Sequence, residues 1–216
     1  MKENSIKKSL VLLSGGVDSA TCLAVAVKEY GSENVLTLCI SYGQKHDREL
    51  SSAKALAEYY VTKLIQIDLT DVFAGSECSL LKESGREIPQ GAYDTGQKIP
   101  QTYVPFRNGL FLSVAASTAL SHGCSVIYYG AHKTDADAAY PDCSETFNAA
   151  ISEAVYEGSG RQLKVSAPFI TLTKRELVQK GLALDVPYGL TWSCYEGGEI
   201  PCGKCATCIE REKAFT

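Results

Sequence analysis

The chain has 216 residues and a mass of 23.3 kDa, enough for one sizeable core with a small appendage. Hydrophobic residues make up 45% of the chain and charged residues 21%, the balance of an ordinary globular protein. The formal net charge of -4 disfavours a nucleic-acid partner, because a phosphate-dominated interface usually needs a basic protein face.

The N-terminal segment is expected to be a buried strand rather than a targeting signal. Lys7 and Lys8 precede the apolar run 10–13, but that run is shorter than a signal-peptide core and no small-residue cleavage site follows it. The longest other mostly apolar run, 109–120, is too short to span a bilayer. We therefore expect a soluble, cytoplasmic protein with no membrane partner.

Strand-like and helix-like segments alternate along the chain. The predicted strands are 9–13, 34–41, 64–69, 125–129 and 165–169, and the predicted helices are 19–30, 47–60, 107–121, 144–157 and 173–181. Because the strands are apolar on both faces, this alternation predicts an α/β fold with a doubly wound, mostly parallel sheet.

Two segments depart from this alternation. Residues 70–102 carry Gly, Ser, Pro and Gln without periodicity and are predicted to be a long loop, which in a compact domain is usually a functional lid or disordered. From Trp192 onward the composition shifts to Cys and Gly. We therefore expect one α/β domain over residues 1–190 and a small metal-binding tail over residues 191–216.

The hexapeptide Ser14-Gly15-Gly16-Val17-Asp18-Ser19 lies where the first strand turns into the first helix. Glycines let the backbone approach a ligand closely, and the free N–H groups and dipole of the helix face the turn. The hydroxyls of Ser14 and Ser19 add donors, so the segment predicts an anion cradle. Asp18 beside phosphates indicates a divalent cation between them. From the hexapeptide alone, a plain strand–helix turn capped by Ser or Asp is the alternative.

This hexapeptide after an N-terminal apolar strand resembles the PP-loop ATP pyrophosphatases. It is neither a Walker loop nor a dinucleotide G-x-G-x-x-G. The resemblance implies a Rossmann-like fold of the adenine nucleotide alpha hydrolase type, with ATP as substrate together with Mg²⁺ and the nucleotide at the carboxyl edge of the sheet. The expected nucleotide-binding residues are Leu12, Leu13, Ser14, Gly15, Gly16, Val17, Asp18, Ser19, Ala20, Thr21, Cys22, Gln44 and His46.

Four of the nine cysteines, Cys194, Cys202, Cys205 and Cys208, are clustered near the end of the chain. Four thiols at this spacing predict a tetrahedral, structural zinc site with thiolate ligands. An iron–sulfur cluster is the competing chemistry, and a C-x2-C redox pair is a weaker alternative because two such pairs share Cys205. The other five cysteines are scattered, and most of them are expected to be small buried hydrophobes.

Three further segments carry chemistry. Arg107 and Asn108 begin a predicted helix, where an Arg can hold a carboxylate or phosphate with two hydrogen bonds, although a plain exposed arginine is as good an explanation of that segment alone. Gln44 and His46 follow the second strand, where doubly wound folds place ligand groups, although a lone histidine there is usually a surface or capping residue. Asp135, with Tyr140, Asp142 and Asp137, follows the fourth strand, where acidic groups could hold Mg²⁺ or pair with the ring N–H donors of a guanine-like base.

Together these segments resemble the QueC family, the 7-cyano-7-deazaguanine synthases of the queuosine and deazapurine pathway. The match runs along nearly the whole chain through L-L-S-G-G-V-D-S-A-T, S-Y-G-Q-K-H-x2-E-L, V-P-F-R-N-G-L-F-L-S-V-A-A, G-A-H-x2-D-x4-Y-P-D-C, T-W-S-C-Y-x-G and P-C-G-x-C-x2-C. One departure is the spacer 136–139, which lacks the aromatic-Ser-Gly seen in many members.

The resemblance implies an ATP-dependent ligase that converts 7-carboxy-7-deazaguanine and ammonia to the nitrile, releasing AMP and pyrophosphate through adenylated carboxylate and amide intermediates. It implies that Asp18 binds Mg²⁺ and that Lys174 and Arg107 neutralise charge during catalysis, while His46 and Gln44 line the nucleotide or ammonia path. The expected substrate-binding residues are Arg107, Asn108, Asp135, Tyr140 and Asp142. A homodimer is a family-level expectation.

Three other functions remain as alternatives. A tRNA sulfurtransferase shares the loop but needs a sulfur-handling cysteine and a basic RNA face. The NAD and GMP synthetases share the loop but are not expected to carry the four-cysteine tail. A zinc-ribbon binding module that uses nucleotide only as a ligand would bind ATP without producing AMP.

Overall fold

The structure of the protein is a computed structural model that describes residues 7–93, 99–137 and 139–216. Five strands form one sheet in which every pairing is parallel, in the order β3-β2-β1-β4-β5. The strands are β1 (Lys8–Leu12), β2 (Val35–Ser41), β3 (Lys63–Asp68), β4 (Cys124–Tyr128) and β5 (Lys164–Ser166). The central strand β1 pairs Leu10 with Leu36 on one side and with Ile127 on the other.

Helices cover both faces of this sheet. They are α1 (Val17–Tyr30), α2 (Arg48–Tyr59), α3 (Arg107–Ser121), α4 (Lys133–Asp137), α5 (Glu145–Gly158), α6 (Lys174–Leu182) and α7 (Ala206–Phe215). Successive residues of a strand point to opposite faces, and β1 shows this directly. Val11 packs in one apolar core with residues of α1, α2 and α6, whereas Leu10 packs in a second core with residues of α3 and α5. The predicted doubly wound α/β fold is confirmed, and the sheet is wholly parallel.

The element bounds differ from the prediction at a few ends. Helix α1 begins at Val17, two residues before the predicted start, because the main-chain N–H of Ala20 already donates to the carbonyl oxygen of Gly16. Strand β5 ends at Ser166, three residues before the predicted end at 169. The chain turns after it, and the N–H of Leu172 donates to the carbonyl oxygen of Phe169 at 2.8 Å. Helix α4 was not predicted, since five residues are too few to show helical periodicity.

The predicted loop 70–102 contains two short 3-10 helices, Thr70–Phe73 and Lys82–Ser84. Its described residues, 70–93 and 99–102, contain no α-helix and no strand of the sheet, while residues 94–98 lie outside the described part of the chain. Phe73 and neighbouring apolar residues of the loop pack in a third core around Tyr42. The loop therefore packs closely against the end of β2.

The cysteine-rich tail lies against the same domain. The N–H of Gly91 donates to the carbonyl oxygen of Lys204 at 2.8 Å, which joins the long loop to the tail. Arg211 of α7 donates to the hydroxyl oxygens of Thr191 and Ser193 at 2.8 and 3.1 Å. In residues 7–93, 99–137 and 139–216, no helix is both long enough and apolar enough to cross a membrane.

Candidate active site

A cavity of about 230 Å³ opens at the carboxyl edge of the sheet. Its wall contains residues that directly follow three neighbouring strands: Leu13 after β1, Tyr42 after β2, and Tyr129 after β4. In open parallel sheets this edge, where the connections diverge to the two faces, is where ligands bind. The tail closes another side of the cavity with residues that include Tyr195 and Glu210.

The hexapeptide 14–19 forms a tight turn against helix α2. Gly15 has a φ of 90°, and a Cβ placed there would lie 2.2 Å from the carbonyl oxygen of Glu49. Only glycine satisfies both the backbone angle and this close approach. The hydroxyl of Ser19 donates to the carbonyl oxygen of Gly16 at 3.1 Å and accepts from the N–H of Ser14 at 3.2 Å. These bonds hold the turn in shape ahead of the first turn of α1.

Asp18 lies at the centre of a charged cluster in the cavity. Its Oδ2 accepts a 2.5 Å hydrogen bond from Nζ of Lys174, which begins α6. Its Oδ1 lies 3.5 Å from Nε2 of His132, and the same nitrogen lies 3.4 Å from Oδ2 of Asp135. Gly130 permits this packing, since a Cβ there would lie 2.8 Å from Cβ of Asp18. The cluster joins residues from α1, α4, α6 and the segment after β4.

The charges of this cluster shift the pKa values of its members. Burial by itself raises the pKa of Asp18, but the Lys174 ammonium and then His132 outweigh it and hold the pKa well below its ordinary value. Burial by itself lowers the pKa of His132, but the carboxylates of Asp135 and Asp18 outweigh it and raise the pKa. The cluster therefore favours an ionised Asp18 and a protonated His132.

Arg107 lines the same cavity from the start of α3. Its Nη1 donates to Oη of Tyr42 at 3.2 Å, and its guanidinium lies 5.3 Å from the centre of the Tyr42 ring. This pairing fixes the guanidinium, and its other N–H groups donate no hydrogen bond to the described residues, so they can bind an anion. Glu49, on the first turn of α2, lines the cavity as well, and burial raises its pKa to about 7 against the opposing effect of Arg107.

Asn108 is held by the segment that follows α4. Its N–H donates to Oδ2 of Asp142 at 2.9 Å, and its side-chain amide donates to the carbonyl oxygen of Asp142 at 3.0 Å. Tyr140 donates or accepts a short hydrogen bond with the hydroxyl of Thr102 and packs edge-on against Tyr93. Asp142 and Tyr140 are buried and act on the cavity by positioning neighbours that line it.

The structure brings most of the predicted site residues together. Those that line the cavity are Leu12, Leu13, Ser14, Gly16, Asp18, Ser19, Gln44, Arg107, Asn108, Asp135 and Lys174. Gly15, Val17, Ala20, Thr21, Cys22, His46, Tyr140 and Asp142 lie off its wall. Ala20 and Cys22 are buried in the core beneath α1. His46 lies instead against Gly197 and lines a small second cavity of about 10 Å³.

Sequence reasoning missed several residues of the cavity. His132 and Glu49 stood inside the quoted blocks G-A-H-x2-D and H-x2-E-L, so their motifs held a usable signal. Tyr195, from the tail, also stood inside a quoted block, T-W-S-C-Y-x-G, whereas Tyr93, from the long loop, stood in none. Their hydroxyls meet at 3.0 Å only because the loop and the tail fold over the same cavity.

The four clustered cysteines form a compact group of thiols. Their sulfur atoms all lie within 4.8 Å of one another, and Sγ of Cys202 and Cys208 are 3.9 Å apart. Such a separation suits two ligands of one tetrahedral ion with metal–sulfur bonds of about 2.3 Å. Main-chain N–H groups of Lys204 and Cys205 point at Sγ of Cys202 at 3.4 and 3.3 Å. The group can therefore hold a metal ion.

The five scattered cysteines are buried, as predicted. They are Cys22, Cys39, Cys78, Cys124 and Cys143.

Comparison with known proteins identifies the family to which this chain belongs. The family model described as "Queuosine biosynthesis protein QueC" matches residues 8–216. The chain belongs to the QueC family. A 7-cyano-7-deazaguanine synthase of Oceanobacillus iheyensis is 41% identical over 214 residues, which cover 97% of this chain and 93% of that protein. One of Thermoplasma acidophilum is 40% identical over 215 residues, covering 97% of this chain and 87% of that protein.

Membership of the QueC family does not favour the alternative of a tRNA sulfurtransferase. Solved structures agree on the fold. NMN synthetase from Francisella tularensis matches with a TM-score of 0.53 at 15% identity, covering 92% of this chain and 71% of that one. An NH3-dependent NAD synthetase from Campylobacter jejuni matches with a TM-score of 0.52 at 15% identity, covering 88% and 69%. These likenesses show that the QueC chain has a Rossmann-like fold.

Proposed function

We propose that this QueC chain is a 7-cyano-7-deazaguanine synthase. It joins 7-carboxy-7-deazaguanine and ammonia at the expense of ATP and releases the nitrile, AMP and pyrophosphate. One observation carries the proposal beyond family membership. A single cavity combines the anion-binding turn 14–19 with a fixed guanidinium, Arg107, and an ion-paired lysine, Lys174.

The chemistry requires that arrangement. A carboxylate becomes a good electrophile only when its oxygen is converted to a leaving group, which transfer of AMP achieves. The turn 14–19 and the N-terminus of α1 receive the departing pyrophosphate, since free N–H groups and the helix dipole favour an anion there. Lys174 lies where it can neutralise the α-phosphate, and Arg107 holds the substrate carboxylate.

The same cavity acts twice in this proposal. Ammonia displaces AMP from the first adenylate to give an amide. A second ATP then activates the amide oxygen, and loss of AMP leaves the nitrile. Both steps depend on positioning and charge neutralisation rather than on a strong base or a cysteine nucleophile. Burial raises the pKa of Cys143, which lines the cavity, and of Cys22 in the core, which makes both thiols poor nucleophiles.

Residues of the cavity fit a magnesium ion bound with ATP. Oδ1 of Asp18 is buried and accepts no hydrogen bond from the described residues, with Nε2 of His132 as its charged neighbour at 3.5 Å, so Oδ1 is the carboxylate oxygen left to serve as a ligand. Magnesium is usually held by one or two carboxylates together with substrate phosphates, and it would neutralise phosphate charge there. Four thiolates at tetrahedral spacing fit a structural zinc ion.

The family resemblance and the composition, rather than the cavity, support the proposed location, assembly state and partners. We propose a cytoplasmic enzyme, active as a homodimer, with small-molecule substrates and no nucleic-acid or membrane partner. We also propose the division into a nucleotide-binding domain, 1–190, and a zinc tail, 191–216.

The proposed function is tested with purified, zinc-replete protein. The protein is incubated with ATP, Mg²⁺, ammonium and 7-carboxy-7-deazaguanine, and the products are followed by mass spectrometry. We expect the nitrile with two AMP for each nitrile formed. A folded, metal-replete protein that yields neither nitrile nor AMP would refute the proposal. If that protein still binds ATP, the result would favour a binding module that uses the nucleotide only as a ligand.

A further inference from the structure

A second, much smaller cavity shares part of its wall with the first. Its volume of about 10 Å³ is close to that needed for one water-sized molecule. The two cavities share four lining residues, Tyr42, Gln44, Glu49 and Tyr195. These four residues therefore line both a space close to the size of one ammonia molecule and the space in which the carboxylate is proposed to be activated.

Glu49 is the acidic member of this shared wall. Its carboxylate has no ion-pair partner among the described residues, although Lys45 and His46 line the small cavity with it. Arg107 faces it across the large cavity, and Tyr42 and Gln44 lie beside it. Gln44 cannot replace the carboxylate as a base, and its Oε1 is already used to accept the N–H of Tyr42 at 2.9 Å.

The nitrogen substrate presents a specific problem at this wall. In neutral water, ammonia is mostly protonated, and ammonium has no lone pair with which to attack carbon. The site must therefore bind a small cation and remove one proton from it next to the adenylate. A partly desolvated carboxylate at the boundary of the two cavities meets both needs.

We infer that Glu49 is the ammonium-binding residue and general base of the amide-forming step. Glu49 takes one proton from ammonium, and the nitrogen lone pair that this releases forms the C–N bond to the carbonyl carbon. The C–O bond to the phosphate then breaks, and its electron pair leaves with AMP. The nitrogen loses a second proton to solvent, which leaves the neutral amide.

The charged surroundings of Glu49 suit this task. Burial raises its pKa to about 7, while the Arg107 guanidinium opposes that rise. A general base works best when its pKa is near the working pH, because it is then ionised often enough and still basic enough. The second activation, from amide to nitrile, needs no ammonium, so Glu49 has no part in it. This inference rests on the proposed function.

The test compares Glu49→Gln with the wild type and with Glu58→Gln, an exposed carboxylate on the same helix. Three reactions are followed: exchange of pyrophosphate into ATP with the carboxylate substrate, conversion of that substrate with ammonium, and conversion of the synthetic amide to the nitrile. We expect Glu49→Gln to lose amide formation by about a hundredfold or more, with a raised KM for ammonium. Exchange and conversion of the amide should stay within about threefold of wild type.

Each other outcome has a definite meaning. An unchanged KM for ammonium and unchanged amide formation in Glu49→Gln would overturn the inference. Equal losses of rate with the carboxylate substrate and with the amide substrate would also overturn the inference, because they would assign Glu49 to recognition of the deazaguanine ring that both substrates share. Failure of the wild type and Glu58→Gln in all three reactions would instead refute the proposed function. A Glu49→Asp variant that regains part of the ammonium-dependent rate would support a base over a purely structural residue.

Discussion

The main-chain N–H of Trp192 donates a 3.0 Å hydrogen bond to the carbonyl oxygen of Gly15. The first residue of the Cys- and Gly-rich tail is thus bonded to the anion-binding turn some 180 residues earlier in the chain. Arg48 of α2 stacks on the Trp192 ring at 5.3 Å, and the Trp192 Nε1–H donates to the carbonyl oxygen of Cys194 at 2.8 Å. One residue therefore links a cysteine of the metal site to the turn 14–19.

Loss of the metal is expected to disturb the active site as well as the tail. Cys205→Ser should abolish stable metal binding and nitrile formation, because metal-binding energy orders the segment that carries Tyr195 and Glu210 to the cavity. Metal analysis, activity and hydrogen exchange of the Trp192 main-chain N–H check this. Cys124→Ser, outside the cluster, should keep its metal. Full activity after complete chelation of the wild type would contradict the prediction.

Gly15→Ala is expected to destabilise the fold and to impair ATP binding. The φ of 90° strains alanine, and its Cβ would lie 2.2 Å from the carbonyl oxygen of Glu49. We expect a loss of at least about 2 kcal/mol in the free energy of unfolding, measured with urea. Gly75→Ala is the matched control, since Gly75 has a φ of 78° with no atom within 4 Å of its Cβ position. If the two variants lose the same free energy of unfolding, the contact between the Cβ of residue 15 and the carbonyl oxygen of Glu49 does not explain the effect.

Lys174→Met should slow adenylation while leaving the fold intact. The variant removes the cation that bonds to Oδ2 of Asp18 at 2.5 Å and that is proposed to neutralise phosphate charge. We expect exchange of pyrophosphate into ATP to fall by at least about a hundredfold, in the range seen when a preorganised charge is removed. Lys180→Met, at an exposed site on the same helix, should change it little. A Lys174→Met enzyme with normal exchange would assign the lysine to structure alone.

The pKa of His132 should depend on Asp135. Burial lowers this pKa, and the Asp135 carboxylate is the largest of the charges that raise it above its ordinary value. Asp135→Asn should therefore lower the pKa of His132, as measured by NMR titration of labelled histidine. Asp137→Asn, on the exposed side of the same short helix, is the control and should shift it less.

The same shift predicts a pH dependence of stability. Because the pKa of His132 is raised in the folded state, its contribution is fully present below the unfolded value of about 6.5. That contribution is lost as the pH rises through the higher folded value. Urea unfolding from mildly acidic to mildly alkaline pH should show this loss in the wild type and a smaller one in Asp135→Asn. A steeper loss in the variant would contradict the assignment.

Local sequence patterns predicted a large part of this structure. Runs apolar on both faces fix buried parallel strands, and helices between them must cover both faces of the sheet. The strand–glycine–helix order around Gly15 predicts an anion site because backbone N–H groups are free only at such a turn. The spacing of the four cysteines predicts a metal group because three of its members lie within one short knuckle, 202–208.

Local patterns failed where distant segments decide a residue's surroundings. Helix α4 is too short to show helical periodicity in the sequence. The effect of its Asp135 on the pKa of His132 depends on the 3.4 Å distance between Oδ2 of Asp135 and Nε2 of His132. His46 shares a motif with Gln44, yet it lies against Gly197 and away from the large cavity. Neither placement depends on the neighbouring sequence alone.

The sequence by itself determined the parallel α/β fold, the anion-binding turn, the cysteine group and the family, since each depends on residues close together in the chain or on motifs in a fixed order. Only the tertiary structure decided which side chains meet. It paired Asp18 with Lys174, set Glu49 between two cavities and bonded Trp192 to Gly15. The packing of the helices on the sheet sets the distances between side chains that are far apart in the chain. Those distances determine how strongly the charged groups of the site shift one another's pKa values.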